Sequence, residues 1–216
     1  KANICYEKVL EIDPKNLKAY NNIGVIFQEL GDYQKAKECF EKIIKIDPDY
    51  VDAHNNLGII FKELGEHQRA IDCYKKVIEL NPNYTKAHNN LGGIFQELGE
   101  HQKAKECFEK AIEINPNYVE AHNNLGVILQ ASDELKAKEC FEKAIEINPN
   151  HIGVHSNLSS FQIRKLDNFE KAITTSHNGL SVKLKSFKFM NQSIALFRLK
   201  HDVQQAQYLI SKDYAL

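Results

Sequence analysis

Five cysteines and three recurring histidines are the residues of this chain most readily put to chemical work. Cys5, Cys39, Cys73, Cys107 and Cys140 have the chemistry for disulfides, soft-metal binding or nucleophilic attack. His54, His88 and His122 have the chemistry for zinc. Their spacing argues against all of it. Successive histidines lie 34 residues apart, and so do the cysteines, except that the last interval is 33. If the repeating segments are stacked pairs of helices, equivalent residues sit about 10 Å apart, one helix diameter. Zinc ligands must come within about 2 Å of one ion, and the Cα atoms of a disulfide within roughly 7 Å. A linear array cannot converge in this way. The cysteines are expected to be small, reduced packing residues, each directly before Tyr6, Phe40, Tyr74, Phe108 or Phe141. The three histidines are expected to fill core pockets, while His67 and His101 fall at turns and should be solvated. No metal site, cofactor site or catalytic residue is expected. Paired acid–base groups, a nucleophile beside its base and phosphate loops are all unrecognisable in the sequence, and Gly92-Gly93 falls inside a helical stretch.

Asparagine is the other recurrent reactive type. Lys18, Asn22, Val25 and Glu29 are spaced i, i+4, i+7 and i+11, one stripe of a helix. The stripe recurs as Asp52, Asn56, Ile59, Glu63, then Lys86, Asn90, Gly93, Glu97, then Glu120, Asn124, Val127, Ala131. Asn21, Asn55, Asn89 and Asn123 lie beside it, and Asn157 echoes it once more. A carboxamide offers two donors and an acceptor, so it can match a backbone N–H and C=O together. Asn is also a poor helix former, so its repetition needs a reason. Two remain open: contact with a partner's backbone, or bonds between successive units.

The elements that position these residues follow from the repeat. Pro14, Pro48, Pro82, Pro116 and Pro149 are spaced 34, 34, 34 and 33 residues apart. Four units result, at 17–50, 51–84, 85–118 and 119–151, the last one residue short. Residues 1–16 read as the second half of an earlier unit. In 17–30, Ala19, Ile23, Ile26, Phe27 and Leu30 keep a helical period, and Gly31, Gly65 and Gly99 stop the first helices. A second helix follows over 34–47, ended by Pro48. Asp49, Asn83 and Asn117 are expected to cap the next helix. Gly24, Gly58, Gly92 and Gly126 sit inside first helices, where Gly costs about 1 kcal/mol relative to Ala. That recurrence implies close helix approach there, matched by Ala36, Ala70, Ala104 and Ala137. One helix pair cannot bury its apolar faces alone, so the units must stack.

With its 34-residue period, Leu57-Gly58 followed by Phe61, the later Ala, the second-helix aromatic and the terminal Pro, the chain resembles a tetratricopeptide repeat (TPR) protein. The likeness covers 1–151; His54, His88, His122 and Tyr20 stand where the family often has Trp. It implies an all-α, right-handed superhelix of antiparallel helix pairs, with first helices lining a concave peptide groove. Asn22, Asn56, Asn90 and Asn124 would then form a ladder along that groove. Val25, Ile59 and Val127 would give apolar contact, with Lys18 and Lys86 on the same stripe. The ladder is similar to that of the TPR region of O-GlcNAc transferase, although nothing resembles that enzyme's catalytic part. The stripe alternates Lys18, Asp52, Lys86, Glu120, so no cationic clamp for a terminal carboxylate is evident. Beyond 151 the pattern degrades, into a divergent repeat at 152–181 and a helical cap at 182–216.

Composition narrows the function. The 216 residues carry 28 Lys and Arg against 29 Asp and Glu, a net charge of -1, which argues against nucleic-acid binding by bulk charge. No apolar run reaches the length of a membrane span. The expectation is a non-catalytic, cytoplasmic scaffold that binds an extended peptide of a protein partner. The start at Lys1, in mid-pattern, reads as a fragment, so two rivals stand beside it. One is the substrate-recruiting arm of a larger transferase-type enzyme. The other is a scaffold self-associating through the N-terminal half unit.

Overall fold

The computed structural model describes residues 2–163. Those residues form ten helices and no strand: α1 (Ala2–Ile12), α2 (Leu17–Glu29), α3 (Tyr33–Ile46), α4 (Val51–Glu63), α5 (His67–Leu80), α6 (Thr85–Glu97), α7 (His101–Ile114), α8 (Val119–Leu129), α9 (Glu134–Ile147) and α10 (Ile152–Ile163). The divergent repeat beyond 163 and the cap at 182–216 lie outside the described residues. The chain divides into two compact units, 1–116 and 117–216. In the first, α2 pairs with α3, α4 with α5 and α6 with α7, and each second helix packs on the following first helix. In the second, α8 pairs with α9, and α9 packs on α10. The fold is an all-α solenoid of antiparallel helix pairs.

The helix pairs close on an aromatic ring against a missing side chain. A Cβ built at Gly24 would lie 2.7 Å from the Phe40 ring, at Gly58 2.7 Å from Tyr74, at Gly92 2.6 Å from Phe108 and at Gly126 2.8 Å from Phe141. All four rings are fully buried, as are Ala36, Ala70, Ala104 and Ala137. The recurring Gly thus admits the ring of its partner helix.

The turn between paired helices is equally regular. Gly31, Gly65 and Gly99 have φ of 77°, 74° and 76°, the left-handed conformation that only Gly adopts without strain. Gly31 N–H donates to Gln28 O (3.0 Å) and Asp32 N–H to Phe27 O (2.9 Å), the paired bonds of a Schellman motif. Asp32 then opens α3, its side chain accepting from Lys35 N at 3.3 Å. Glu66 and Glu100, one methylene longer, make no such cap; their carboxylates pair instead with Arg69 and Lys103. The shortened repeat ends α8 at Leu129, and Asp133 caps α9 through Lys136 N.

At the Pro turns the expected caps are corrected. The N-cap positions of α4, α6 and α8 are Tyr50, Tyr84 and Tyr118, none with a side-chain cap bond. Asp49 and Asn83 lie one residue earlier. Their N–H groups donate to Asp47 Oδ1 and Asn81 Oδ1, both at 3.1 Å. The Asx turn around each Pro wins over capping. Ahead of α2, Asn16 caps through its side chain, accepting from Ala19 N at 3.0 Å, and ahead of α10 His151 Nδ1 accepts from Val154 N at 3.2 Å.

Candidate functional site

Within residues 1–116 the first helices form the tighter side. α2 touches α4, α4 touches α6 and α8 touches α10, whereas α3, α5 and α7 make no contact with one another. The asparagine stripe therefore lies on the side where successive helices are closest. Asn22, Asn56, Asn90, Asn124 and Asn157 are half-buried, Asn21 and Asn123 likewise, while Asn55 and Asn89 are buried. Val25 and Ile59 are also half-buried and pack against the core, so part of the apolar stripe is spent internally; Val127 is half-buried. Lys18 and Lys86 are exposed.

The carboxamides bond to each other. Asn56 Nδ2 donates to Asn21 Oδ1 at 3.3 Å, across successive first helices, and Asn157 Nδ2 donates to Asn123 Oδ1 at 2.9 Å. Within a helix, Asn55 Nδ2 donates to Asn56 Oδ1 and Asn123 Nδ2 to Asn124 Oδ1, both at 3.4 Å. Of the two reasons for asparagine left open by the sequence, bonding between units operates at these two steps.

The step from α4 to α6 is different. Asn55 Oδ1 is buried with no hydrogen-bond partner, and so is the hydroxyl of Tyr74. Burial raises the Tyr74 phenol, opposed by the carboxamide of Asn90 beside it, which does not complete a well-aligned bond. Asp52, on the same stripe, accepts from the Tyr84 hydroxyl at 3.2 Å. Glu97 pairs with Lys62 at 3.1 Å, with His67 Nδ1 at 3.9 Å. His67 is half-buried rather than solvated, because Glu97 of the following first helix lies over it; His101 is exposed, as expected.

The histidines do more than fill space. His54 Nε2 lies 2.7 Å from Pro48 O, His88 Nε2 2.9 Å from Pro82 O and His155 Nε2 2.8 Å from Pro149 O. A carbonyl can only accept, so Nε2 carries the proton in each. The ring ties its helix to the Pro turn six residues earlier. That constant offset is visible in the sequence and was the signal for this role.

Cys39, Cys73, Cys107 and Cys140 are free thiols, buried or half-buried. Burial pushes Cys39 upward, and raises Cys73 and Cys107 from 9.0 to about 11. Such thiols are poor nucleophiles near neutrality. Among the described residues no three His, Cys, Asp or Glu side chains gather as a metal site, and no helix is long and apolar enough to cross a membrane.

Comparison with known proteins agrees with this geometry. The tetratricopeptide repeat pattern matches residues 17–50, 51–84 and 85–118, and a second tetratricopeptide repeat pattern matches 107–139. No curated protein matches the chain. Among solved structures, MamA is 31% identical with a TM-score of 0.61, over 68% of this chain and 86% of that one. PilF of Pseudomonas aeruginosa is 22% identical with a TM-score of 0.73, over 89% of this chain and 87% of that one. YrrB, a TPR protein with an unusual peptide-binding site, is 19% identical with a TM-score of 0.59, over 86% of this chain and 96% of that one. The chain belongs to the tetratricopeptide repeat family, whose repeats support a protein-interaction scaffold.

Proposed function

We propose that the chain is a non-catalytic scaffold whose first helices hold an extended segment of a partner protein. The observation that carries this reading is the row of half-buried carboxamides on the first helices, which within residues 1–116 form the tighter side. A carboxamide used once as donor and once as acceptor keeps one N–H and one lone pair. Asn56, bonded to Asn21 and Asn55, is in that position, so holding the stack and meeting a partner are compatible. The alternating charges of Lys18, Asp52, Lys86 and Glu120 favour a backbone over an acidic or basic tail. The likeness to the ladder of O-GlcNAc transferase rests on the asparagine row alone, and a peptide-binding site in the similarly folded YrrB is consistent with the reading. A cytoplasmic setting is supported by the free thiols. The test is the double variant Asn56→Ala with Asn90→Ala, titrated with peptides selected by the full chain from a displayed random library. Binding should weaken about tenfold, with the helical circular dichroism intact. Equal binding by the variant would sink the reading.

A further inference from the structure

The turns inside the helix pairs of residues 1–116 expose leucine that the fold does not cover. Leu30, Leu64 and Leu98 end α2, α4 and α6 and are 74%, 44% and 44% exposed. Leu30 continues the apolar period of its helix, yet the Schellman turn does not use it. That motif makes its apolar contact between the residue after the Gly and the last turn of the helix. Here the residue after the Gly is Asp32, Glu66 or Glu100. Each first helix alternates with an antiparallel second helix, so the C-terminal ends of α2, α4 and α6 lie on one edge. Contacts across that edge join neighbouring repeats: Lys37 Nζ of α3 lies 5.9 Å from the Phe61 ring centroid, and Lys62 of α4 pairs with Glu97 of α6. The leucines therefore form a row, one per helix-pair layer, about 10 Å apart.

The charges beside them repeat too. Lys35, Arg69 and Lys103 lie over the Phe27, Phe61 and Phe95 rings at 5.2, 3.9 and 5.3 Å. Each also pairs with the carboxylate three residues earlier, Asp32, Glu66 or Glu100, and each remains exposed. Every step of the row thus offers one leucine, one carboxylate and one cation, with no excess of either sign.

Such a row selects its occupant. Turns that are each neutral give an acidic or basic partner no advantage, and an irregular apolar segment meets one leucine but not all three. A surface of the same period, carrying both charges at every step, meets them all. A second copy of the chain is such a surface, and a net charge of -1 leaves little repulsion between copies. We propose that the edge carrying Leu30, Leu64 and Leu98 is a two-fold contact between two copies of this chain. Leucine meets leucine, and the cations of one copy meet the carboxylates of the other. This edge is separate from the asparagine face and from the half unit at α1, so its failure would leave the scaffold reading standing. Its small apolar area places it with the weak, transient interfaces.

Sedimentation equilibrium of the full chain should show reversible dimerisation, with a dissociation constant between about 1 µM and 1 mM. Leu64→Asp should raise that constant about tenfold or more, since a two-fold axis sets two copies of the change against each other. Its Tm, read at a dilution where the chain is monomeric, should move by no more than about 2 °C, as for other exposed positions. Leu30→Ser combined with Leu98→Ser should weaken the dimer comparably while leaving the centre of the row intact. Leu64→Cys, treated with oxidised glutathione, should give a disulfide-linked dimer faster than the buried thiols of the parent do. Ile12→Asp, on the exposed end of α1, should leave dimerisation unchanged. A chain that stays monomeric at about 1 mM overturns the proposal. A dimer that survives both leucine variants, or one that is lost in Ile12→Asp, overturns it equally. Absence of the cross-link through Leu64→Cys overturns the two-fold arrangement.

Discussion

Gly92 and Gly93 are adjacent in the sequence and lie in opposite surroundings. Gly92 faces inward, where a Cβ would collide with Phe108 at 2.6 Å; Gly93 faces open space. The inward position is glycine in all four helix pairs, at Gly24, Gly58, Gly92 and Gly126. The outward one reads Val25, Ile59, Gly93 and Val127. The packing face is thus copied faithfully, while on the outer stripe the asparagine is constant and the positions around it vary from repeat to repeat. A feature held constant by packing and one free to vary have different work to do.

The comparison can be broken most directly at the ring. Phe108→Ala should lower stability by about 3–5 kcal/mol in a denaturant titration, as for other large buried aromatics. Gly92→Ala should destabilise by about 1–3 kcal/mol through overpacking, whereas Gly93→Ala should stabilise by about 0.4–1 kcal/mol. Opposite signs from the same substitution at neighbouring positions are the sharpest test; equal signs would erase the contrast. Gly99→Ala should cost about 1 kcal/mol, because its φ of 76° strains any side chain. The same packing should also show as a pH dependence. Cys73 and Cys107 have folded values raised from 9.0 to about 11. Their contribution to stability is complete below about pH 9 and is lost as pH rises towards 11. Ellman's reagent at pH 8 should accordingly label them slowly in the folded chain and fast in urea.

Much of this arrangement was legible in the sequence because it repeats. Close helix approach at the recurring Gly, the stops at Gly31, Gly65 and Gly99, and the free thiols each follow from one period applied to known chemistry, although the group that meets each Gly is an aromatic ring and not the expected Ala. Reading failed where two local chemistries compete. Asp49 and Asn83 look like caps, but Asp47 and Asn81 turn the chain first and move the N-cap to a tyrosine. His88 looked like a filler because its ring is apolar enough to be buried, and its offset from Pro82 went unread. Asn90 is the deeper case. Asn55 Oδ1 is left without the bond that Asn21 Oδ1 receives one repeat earlier, and periodicity cannot show which way a side chain turns.

The Schellman turn has a consequence of its own. Asp32 closes α2 through its N–H and opens α3 through its carboxylate, so a single residue serves two helices. With helix contacts in each unit reaching no further than the neighbouring repeat, every 34-residue stretch carries its own stops, starts and docking surfaces. In-frame duplication can therefore lengthen such a chain without inventing a new joint, and each added copy supplies a fresh outer stripe on which selection can write.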